Sequence, residues 1–507
     1  MSETQLSDQY LYQSSLKSDP EIKVSSGKRV PFVIDLNQGS YQNGVITIDA
    51  TSQLNGSEGF NSLRDAYIML PYKVSTKNTH ATNANSFCVS LKCGNFNVID
   101  SMSLELNGKT IVSMADYKLF WNNIRAQTGY STQYVEKHGA ELFLYPDAAQ
   151  STKYSATASS TGDGYSNNTA FSSSFQAGVI SATASVANDG FAKRLLSNPP
   201  NAGADSSTSW PSTGAASATT TIAKQLGRGA FVAGSGTAGS IMGTWNYMLK
   251  IKLTDLHPVF KELDLMANPQ IRLRFRVNQG TAAIDIYSST RMTLTSTTLS
   301  SDNVCPVMIA SQASPNPILF ISKPVRKVRY NDCYAQLFYQ RAGIGKQSTQ
   351  LNAAFDLQLS ASVKNAKYVI LLPFAEQTGS FASAAVQQFQ SPFDSAPWTL
   401  HPGSSIRNFN VRIGSQQCFD ISHDYDFHQF ANEVSKIASI NGDLTPELVN
   451  GLLDYQTWSL TNRVLIADVS RLTERDIPQA IQIQGVNAGL PGNKHDCFGC
   501  ERTRADI

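Results

Sequence analysis

Charge is what this sequence has least of. Only 16% of its 507 residues are Asp, Glu, Lys or Arg, well below the roughly 25% of an average soluble protein. The 41 basic and 39 acidic residues nearly cancel, leaving a formal charge of +2. A chain with so little net charge has no electrostatic grip on a polyanion, which argues against direct nucleic-acid binding. Cysteine is also sparse: seven residues, an odd number, are too few for a disulfide framework in so long a chain. No apolar run approaches the 18 residues of a membrane-spanning helix, and the longest, such as Tyr368 to Ala375, are strand-sized. The first residues lack the basic start and apolar centre of a secretory signal. The expectation is a protein made and kept inside a cell, whose sequons at Asn55 and Asn167 stay unglycosylated.

Apolar residues are not lacking. They make up 41% of the chain, enough for real cores and too many for a disordered protein. They fall in short segments rich in Val, Ile, Tyr and Phe, among them Val30–Leu36, Val45–Ala50, Asp65–Tyr72, Phe87–Lys92, Met102–Leu106, Leu249–Leu253 and Ile271–Val277. The pattern continues through Ala354–Leu359, Tyr368–Pro373, Phe409–Ile413, Arg463–Ala467 and Ile481–Ile483. Many short strands separated by Gly, Asn, Ser and Pro predict an all-β sandwich or barrel. Two segments read as helices. In one, Ser113 caps and Tyr117, Phe120, Trp121 and Ile124 form a stripe ending before Gly129; in the other, Ser422 caps, Phe427, Phe430, Val434 and Ile437 form the stripe, and Gly442 stops it.

The halves share an order of landmarks. Each has an apolar strand entering a Pro (Ala66–Tyr72; Lys367–Phe374), a Gly turn (Gly108; Gly414), an Asp-Tyr pair opening a helix (Asp116-Tyr117; Asp424-Tyr425), then a Trp ten residues before an Asp (Trp245, Asp255; Trp458, Asp468). This order points to a duplicated β domain. Tyr117 to Trp245 spans 128 residues where Tyr425 to Trp458 spans 33, so the first half carries about 95 extra. From Asp147 to Ser240, 59 of 94 residues are Ser, Thr, Ala or Gly, with nine charged. Such a stretch cannot build its own core and is expected to be an elaborated loop, anchored by Phe171, Phe175, Trp210 and Phe231, or a linker. The expected organisation is an N-terminal arm (1–29), a first domain (30–290) with the insertion at 147–240, a connector (291–325), a second domain (326–490) and a C-terminal tail (491–507).

Chemical motifs are weak. Gly343–Ser348 has a phosphate-loop flavour, but Gln347 stands where a hydroxyl is needed and the glycine spacing is absent. Gly227-Arg-Gly229 lacks strand-to-helix context, and no Gly-x-Ser-x-Gly elbow exists. His423 and His428 are five apart, wrong for one helical face, so the cluster reads as an acidic first turn. Cys497 and Cys500, with His495, have metal-like spacing but lack a second cysteine pair, and Cys88 and Cys93 read as buried thiols. No catalytic, cofactor-binding or metal residue is nominated, and no cofactor is expected. Trp121, Trp245, Trp458, Tyr117 and Phe430 occupy core-type positions and form no aromatic platform for sugar.

The segment Tyr247 to Phe260, with Leu253-Thr-Asp255-Leu at its centre, resembles the strand and Leu-x-Asp-Phe/Leu-Phe segment that closes the first jelly roll of double jelly-roll major capsid proteins. Ile271–Val277 is similar to that family's next strand, and Val464–Ser470 and Ile481–Gln484 to the closing strands of its second half. The family spans tectiviruses, adenoviruses, virophages, Polinton-like elements and large algal viruses. The likeness covers roughly residues 30 to 490 and rests on architecture rather than a diagnostic motif. It implies two eight-stranded jelly rolls and a non-enzymatic homotrimer with pseudo-hexagonal outline. Such trimers tile an icosahedral virion shell against neighbouring capsomers and penton and minor capsid proteins. The insertion would form part of an outward tower. Residues 1–29 carry Lys17, Lys23, Lys28 and Arg29 against Glu3, Asp8, Asp19 and Glu21, so the arm is neutral. A neutral arm suits contact with neighbouring capsomers, the shell's inner side or an internal membrane rather than the genome. The alternatives are a two-domain β-sandwich that binds or cleaves carbohydrate, and a trimeric viral spike.

Overall fold

The computed structural model describes residues 29–33, 44–50, 60–78, 86–87, 94–114, 120–144, 201–202, 232–233, 239, 241–263, 266–267, 270–287, 290–298, 306–313, 329–340, 353–359, 363–376, 406–420, 425–436, 453, 455, 458, 464–473, 477–487 and 494–506. In the first half the strands are β1 (Arg29–Val33), β2 (Val45–Asp49), β3 (Phe60–Asn78), β4 (Ile99–Leu106), β5 (Lys109–Met114), β6 (Ile241–Lys252), β7 (Ile271–Val277), a hairpin of β8 (Gly280–Tyr287) and β9 (Thr290–Thr298), and β10 (Val307–Ala313). Helices α1 (Phe120–Gly129) and α2 (Thr132–Leu142) follow β5, and two short helices, α3 (Leu253–Leu256) and α4 (Val259–Glu262), follow β6. The second half has β11 (Arg329–Gln340), β12 (Ala353–Leu359), β13 (Tyr368–Glu376), β14 (Ile406–Ile413), β15 (Gln416–Gln417), α5 (Phe427–Ser435), β16 (Leu465–Asp468), β17 (Ile481–Asn487) and β18 (Lys494–Asp506).

The two halves have one topology. One sheet of the first half runs β1-β10-β3-β6, extended at β3 by β9 and β8, and the other runs β2-β7-β4-β5. The second half repeats this as β11-β18-β13-β16 and β12-β17-β14-β15. Setting aside the β8–β9 hairpin and the two-residue strands Asn201–Ala202 and Met266–Ala267, both read 1-8-3-6 facing 2-7-4-5 in chain order, which is the jelly roll, two Greek keys folded into two antiparallel sheets. The duplication legible in the landmarks is therefore a duplication of fold.

Period-two patterning makes each inner face. Ile271, Leu273, Phe275 and Val277 are buried while Arg272, Arg274 and Arg276 between them are exposed. On β3, Ala66, Ile68, Leu70, Tyr72 and Val74 point to the core. Trp121, Trp245 and Phe260 are fully buried, each contributing on the order of 2–3 kcal/mol by removal from water. Asn107 and Gly108, both at positive φ (50° and 76°), make the two-residue turn between β4 and β5, the backbone a twisted hairpin requires.

Several expectations need correction. Ser113 does not cap a helix: it lies in β5, paired with Ser103, and helix α1 begins only at Phe120. Val112 and Met114, both buried, pair with Leu104 and Met102 of β4 before any helix can start. Helix α2 was not anticipated; Ser131 caps it, accepting from Tyr134 N at 3.1 Å, and Phe143 ends it at φ 54°. On α5 the cap is Asp426, which accepts from Gln429 N at 2.8 Å; Ser422, Ile437 and Gly442 lie outside the described residues. The stretch expected as connector holds β10 and most of β9, and that expected as tail holds β18. Threonine fills much of β9, β10 opens on four consecutive apolar residues and β18 is mostly polar and charged, so apolar alternation is weak in all three and sheet pairing makes them strands.

Candidate functional site: the joint between the two jelly rolls

Strand β6 runs directly into α3 and α4, and this corner carries the connection between the halves. Leu253, Leu256, Val259 and Phe260 are all fully buried. His257, between them, is buried too; its Nδ1 accepts from Val259 N at 3.1 Å, so in the neutral ring the proton sits on Nε2. Nε2 stands 3.5 Å from Asp332 Oδ1 on β11, a longer electrostatic contact. The ring also meets Tyr330 edge-on, with centroids 5.5 Å apart. The Tyr330 hydroxyl donates to Ile111 O on β5 at 2.7 Å, and burial lifts its pKa to about 12, so it remains a donor at any physiological pH. The fifth strand and the corner after the sixth strand of jelly roll one thus grip the first strand of jelly roll two.

Two residues before His257 the same corner is tied to the helices of its own half. Arg125 on α1 is buried; its Nη2 donates to Thr254 O at 3.1 Å and its Nη1 to Asn122 Oδ1 at 3.3 Å. Tyr130 donates to Asp255 Oδ1 at 3.0 Å. Burial raises the Asp255 pKa, opposed by the Tyr130 hydrogen bond and the Arg125 charge. Burial, then Asp255, pushes the Tyr130 hydroxyl well up. Tyr130 stacks on Tyr134 with centroids 4.8 Å apart, Tyr134 meets His138 at a tilt with centroids 4.6 Å apart, and Glu141 pairs with Lys250 of β6.

The second half builds its corner from other residues. Glu433 on α5 is buried, accepting from Asp468 N at 2.7 Å, Lys436 Nζ at 2.8 Å and Gln429 Nε2 at 3.2 Å. Tyr425 donates to Ile466 O at 2.6 Å and accepts from Ile466 N at 3.0 Å, and Trp458 Nε1 donates to Val464 O at 2.9 Å. Asp255 and Asp468, landmarks in the sequence, therefore mark equivalent corners. The sequence singled out neither Arg125, Glu433 nor His257; a charged residue inside an apolar helix stripe was the available signal for the first two.

Among the described residues no group of three or more His, Cys, Asp and Glu gathers as if for a metal. His428 is exposed on α5, while His423 lies outside the described residues, as do Cys88, Cys93, Asn55, Asn167, Gly343–Ser348 and Gly227–Gly229. Of the insertion only 201–202, 232–233 and 239 are described. Cys497 and Cys500 lie on β18, opposite Phe338 and Ala335 of β11.

No family model matches the chain, and no curated protein matches it. Solved structures do. A chain in the cryo-electron microscopy structure of the Sputnik virophage is 12% identical, with 96% of this chain and 88% of that one covered and a TM-score of 0.50. The Faustovirus major capsid protein is 9% identical over 97% of this chain and 92% of its own, at a TM-score of 0.45. The mavirus major capsid protein is 11% identical over 96% and 90%, at 0.36. At such identities the likeness is one of fold, and its extent matters: the chain shares with the Sputnik virophage chain an architecture that runs nearly end to end, two jelly rolls in tandem.

Proposed function

We propose that this chain is a major capsid protein, a structural and non-enzymatic component of an icosahedral virion, assembling as a trimer whose six jelly rolls give a pseudo-hexagonal capsomer. One observation carries the reading: a 1-8-3-6/2-7-4-5 jelly roll occurs twice in the chain, joined through a buried corner, with whole-length likeness to a virophage chain. The low charge supports it, since copies packed side by side repel one another less. The structural units are 29–313 and 329–506, and neighbouring capsomers, penton and minor capsid proteins are the partners. Residues 1–28, nearly balanced in charge with three basic and four acidic residues, contact neighbouring capsomers, the shell's inner side or an internal membrane; assembly unaffected by their deletion would refute that. Light scattering after size exclusion, followed by negative-stain imaging, tests the whole. A particle of about 165 kDa, three times the 55.1 kDa chain, with a hexagonal outline is expected. A monomer overturns the proposal, and an elongated trimer favours a spike.

A further inference from the structure

Resting on the capsomer reading, we infer that trimers recognise one another by a charge match between the open sheet faces of the two jelly rolls, Arg274 of one copy facing Asp356 of a copy in the next trimer. Each roll keeps one sheet face open. On the outer side of β3, Tyr67 and Met69 are half-buried and Pro71 and Lys73 buried. On β13, Val369, Ile370, Leu371 and Leu372 are buried in succession, so both sides of that strand are covered. Arg272, Arg274 and Arg276 of β7, by contrast, are exposed. Strand register sorts the open face of roll one into rows. Asp49, Arg272 and Glu105 share the first, where Arg272 meets the two carboxylates at 3.4 and 3.7 Å and the net charge is negative. Lys109 stands beyond this row, at the turn into β5. Thr47, Arg274 and Ser103 share the second, and among the described residues Arg274 has no carboxylate partner there, so the row is positive. Val45, Arg276 and Ser101 share the third, which Asp100, 3.9 Å from Arg276, makes neutral.

Roll two repeats the fold with the opposite pattern. Its equivalent rows are Gln358, Gln482 and Arg412, then Asp356, Gln484 and Asn410, then Ala354, Val486 and Arg407. Asp356 is exposed, and its partner among the described residues is the neutral amide of Gln484, at 3.4 Å. Arg412 is half-buried, Arg407 is exposed, and neither has a carboxylate partner among the described residues. The rows are therefore positive, negative and positive, where those of roll one are negative, positive and neutral. Geometry brings the two faces together. Six rolls in a ring alternate one, two, one, two, so the side opposite a roll-one side is a roll-two side. Trimers laid side by side in one orientation thus set roll one against roll two. Rolls related by the pseudo-sixfold stand at one height, so each row meets its equivalent. Arg274 then faces Asp356, the acidic first row faces Arg412, and the row holding Asp100 faces Arg407. Roll one against roll one would instead set Arg274 against Arg274, a repulsion that disfavours the other orientation.

Sedimentation velocity of the full-length trimer over a range of protein and salt concentrations reads the association of trimer with trimer. Wild-type trimers should associate, and less so as salt rises, because exposed charges are screened. Arg274→Asp and Asp356→Arg should each weaken that association by about tenfold or more through apposed like charges, with the trimer itself intact. The double variant Arg274→Asp/Asp356→Arg rebuilds the pair with its signs exchanged and should recover the association. Lys137→Asp and Glu136→Arg make the same charge changes at exposed positions of α2 and should leave it unchanged. Single reversals that associate like wild type, a double variant weaker than either single one, or wild-type trimers that do not associate overturn this interface while leaving the trimer standing. A monomeric wild-type protein overturns both.

Discussion

Arg125 and Glu433 occupy the same place in the two halves, each eight residues beyond the tyrosine of an Asp-Tyr pair, and they do the same work with opposite charge. Arg125 donates to Thr254 O beside Asp255, and Glu433 accepts from Asp468 N. A long charged side chain from the helix thus pins the corner that closes each jelly roll.

Glu433→Ala should leave the Asp468 amide and Lys436 without their acceptor, costing about 1–3 kcal/mol in urea unfolding. Arg125→Glu should cost more, about 3–5 kcal/mol, because it sets an unpaired anion beside Asp255 in a buried site. Equal, negligible losses from both would contradict the pinning role.

Asp255 gives a pH dependence of definite sign. Its folded pKa is raised above 3.8 by burial, so the folded state holds the proton more tightly than the unfolded chain. The stabilisation is full below the unfolded value and is lost as pH rises through the folded pKa. Asp255→Asn keeps an acceptor for Tyr130 without the ionisation. Its thermal midpoint should therefore gain on wild type steadily as pH rises from below 3.8 towards neutrality. A difference that is constant with pH, or that shrinks, counts against it.

Tyr425→Phe removes a hydroxyl that serves both the N–H and the C=O of Ile466. Two buried backbone groups on β16 lose their partner, and a loss of about 1–3 kcal/mol is expected, measured by chemical denaturation. The small volume change means that cavity formation does not account for it.

Gly485 on β17 lies opposite Phe355 of β12, and an added Cβ would come 2.5 Å from the Phe355 ring. Gly485→Ala should destabilise by about 1–3 kcal/mol through overpacking. Phe355→Leu in the same chain should recover part of that loss, which a backbone effect of the glycine would not allow.

What was legible along the chain depended on where each signal resides. Ile271–Val277 announced itself because a half-buried strand must alternate, and the Trp-to-Asp spacings survived because both halves need the same corner. The strands β10 and β18 were invisible, since β10 opens on a run of four apolar residues without alternation and β18 is mostly polar and charged; they become strands only through pairing with β1 and β3, or with β11 and β13. Ser113 misled because a hydroxyl that can cap a helix can equally sit on a strand, and only the partner β4 decides between them.

The amino-acid sequence alone determined the class and the count: two related β domains in a chain short of charge. Those are properties of composition and local period. The tertiary structure alone decided which residues make the joint, because His257 and Asp332, like Tyr330 and Ile111, are distant in the chain and meet only once both jelly rolls have closed.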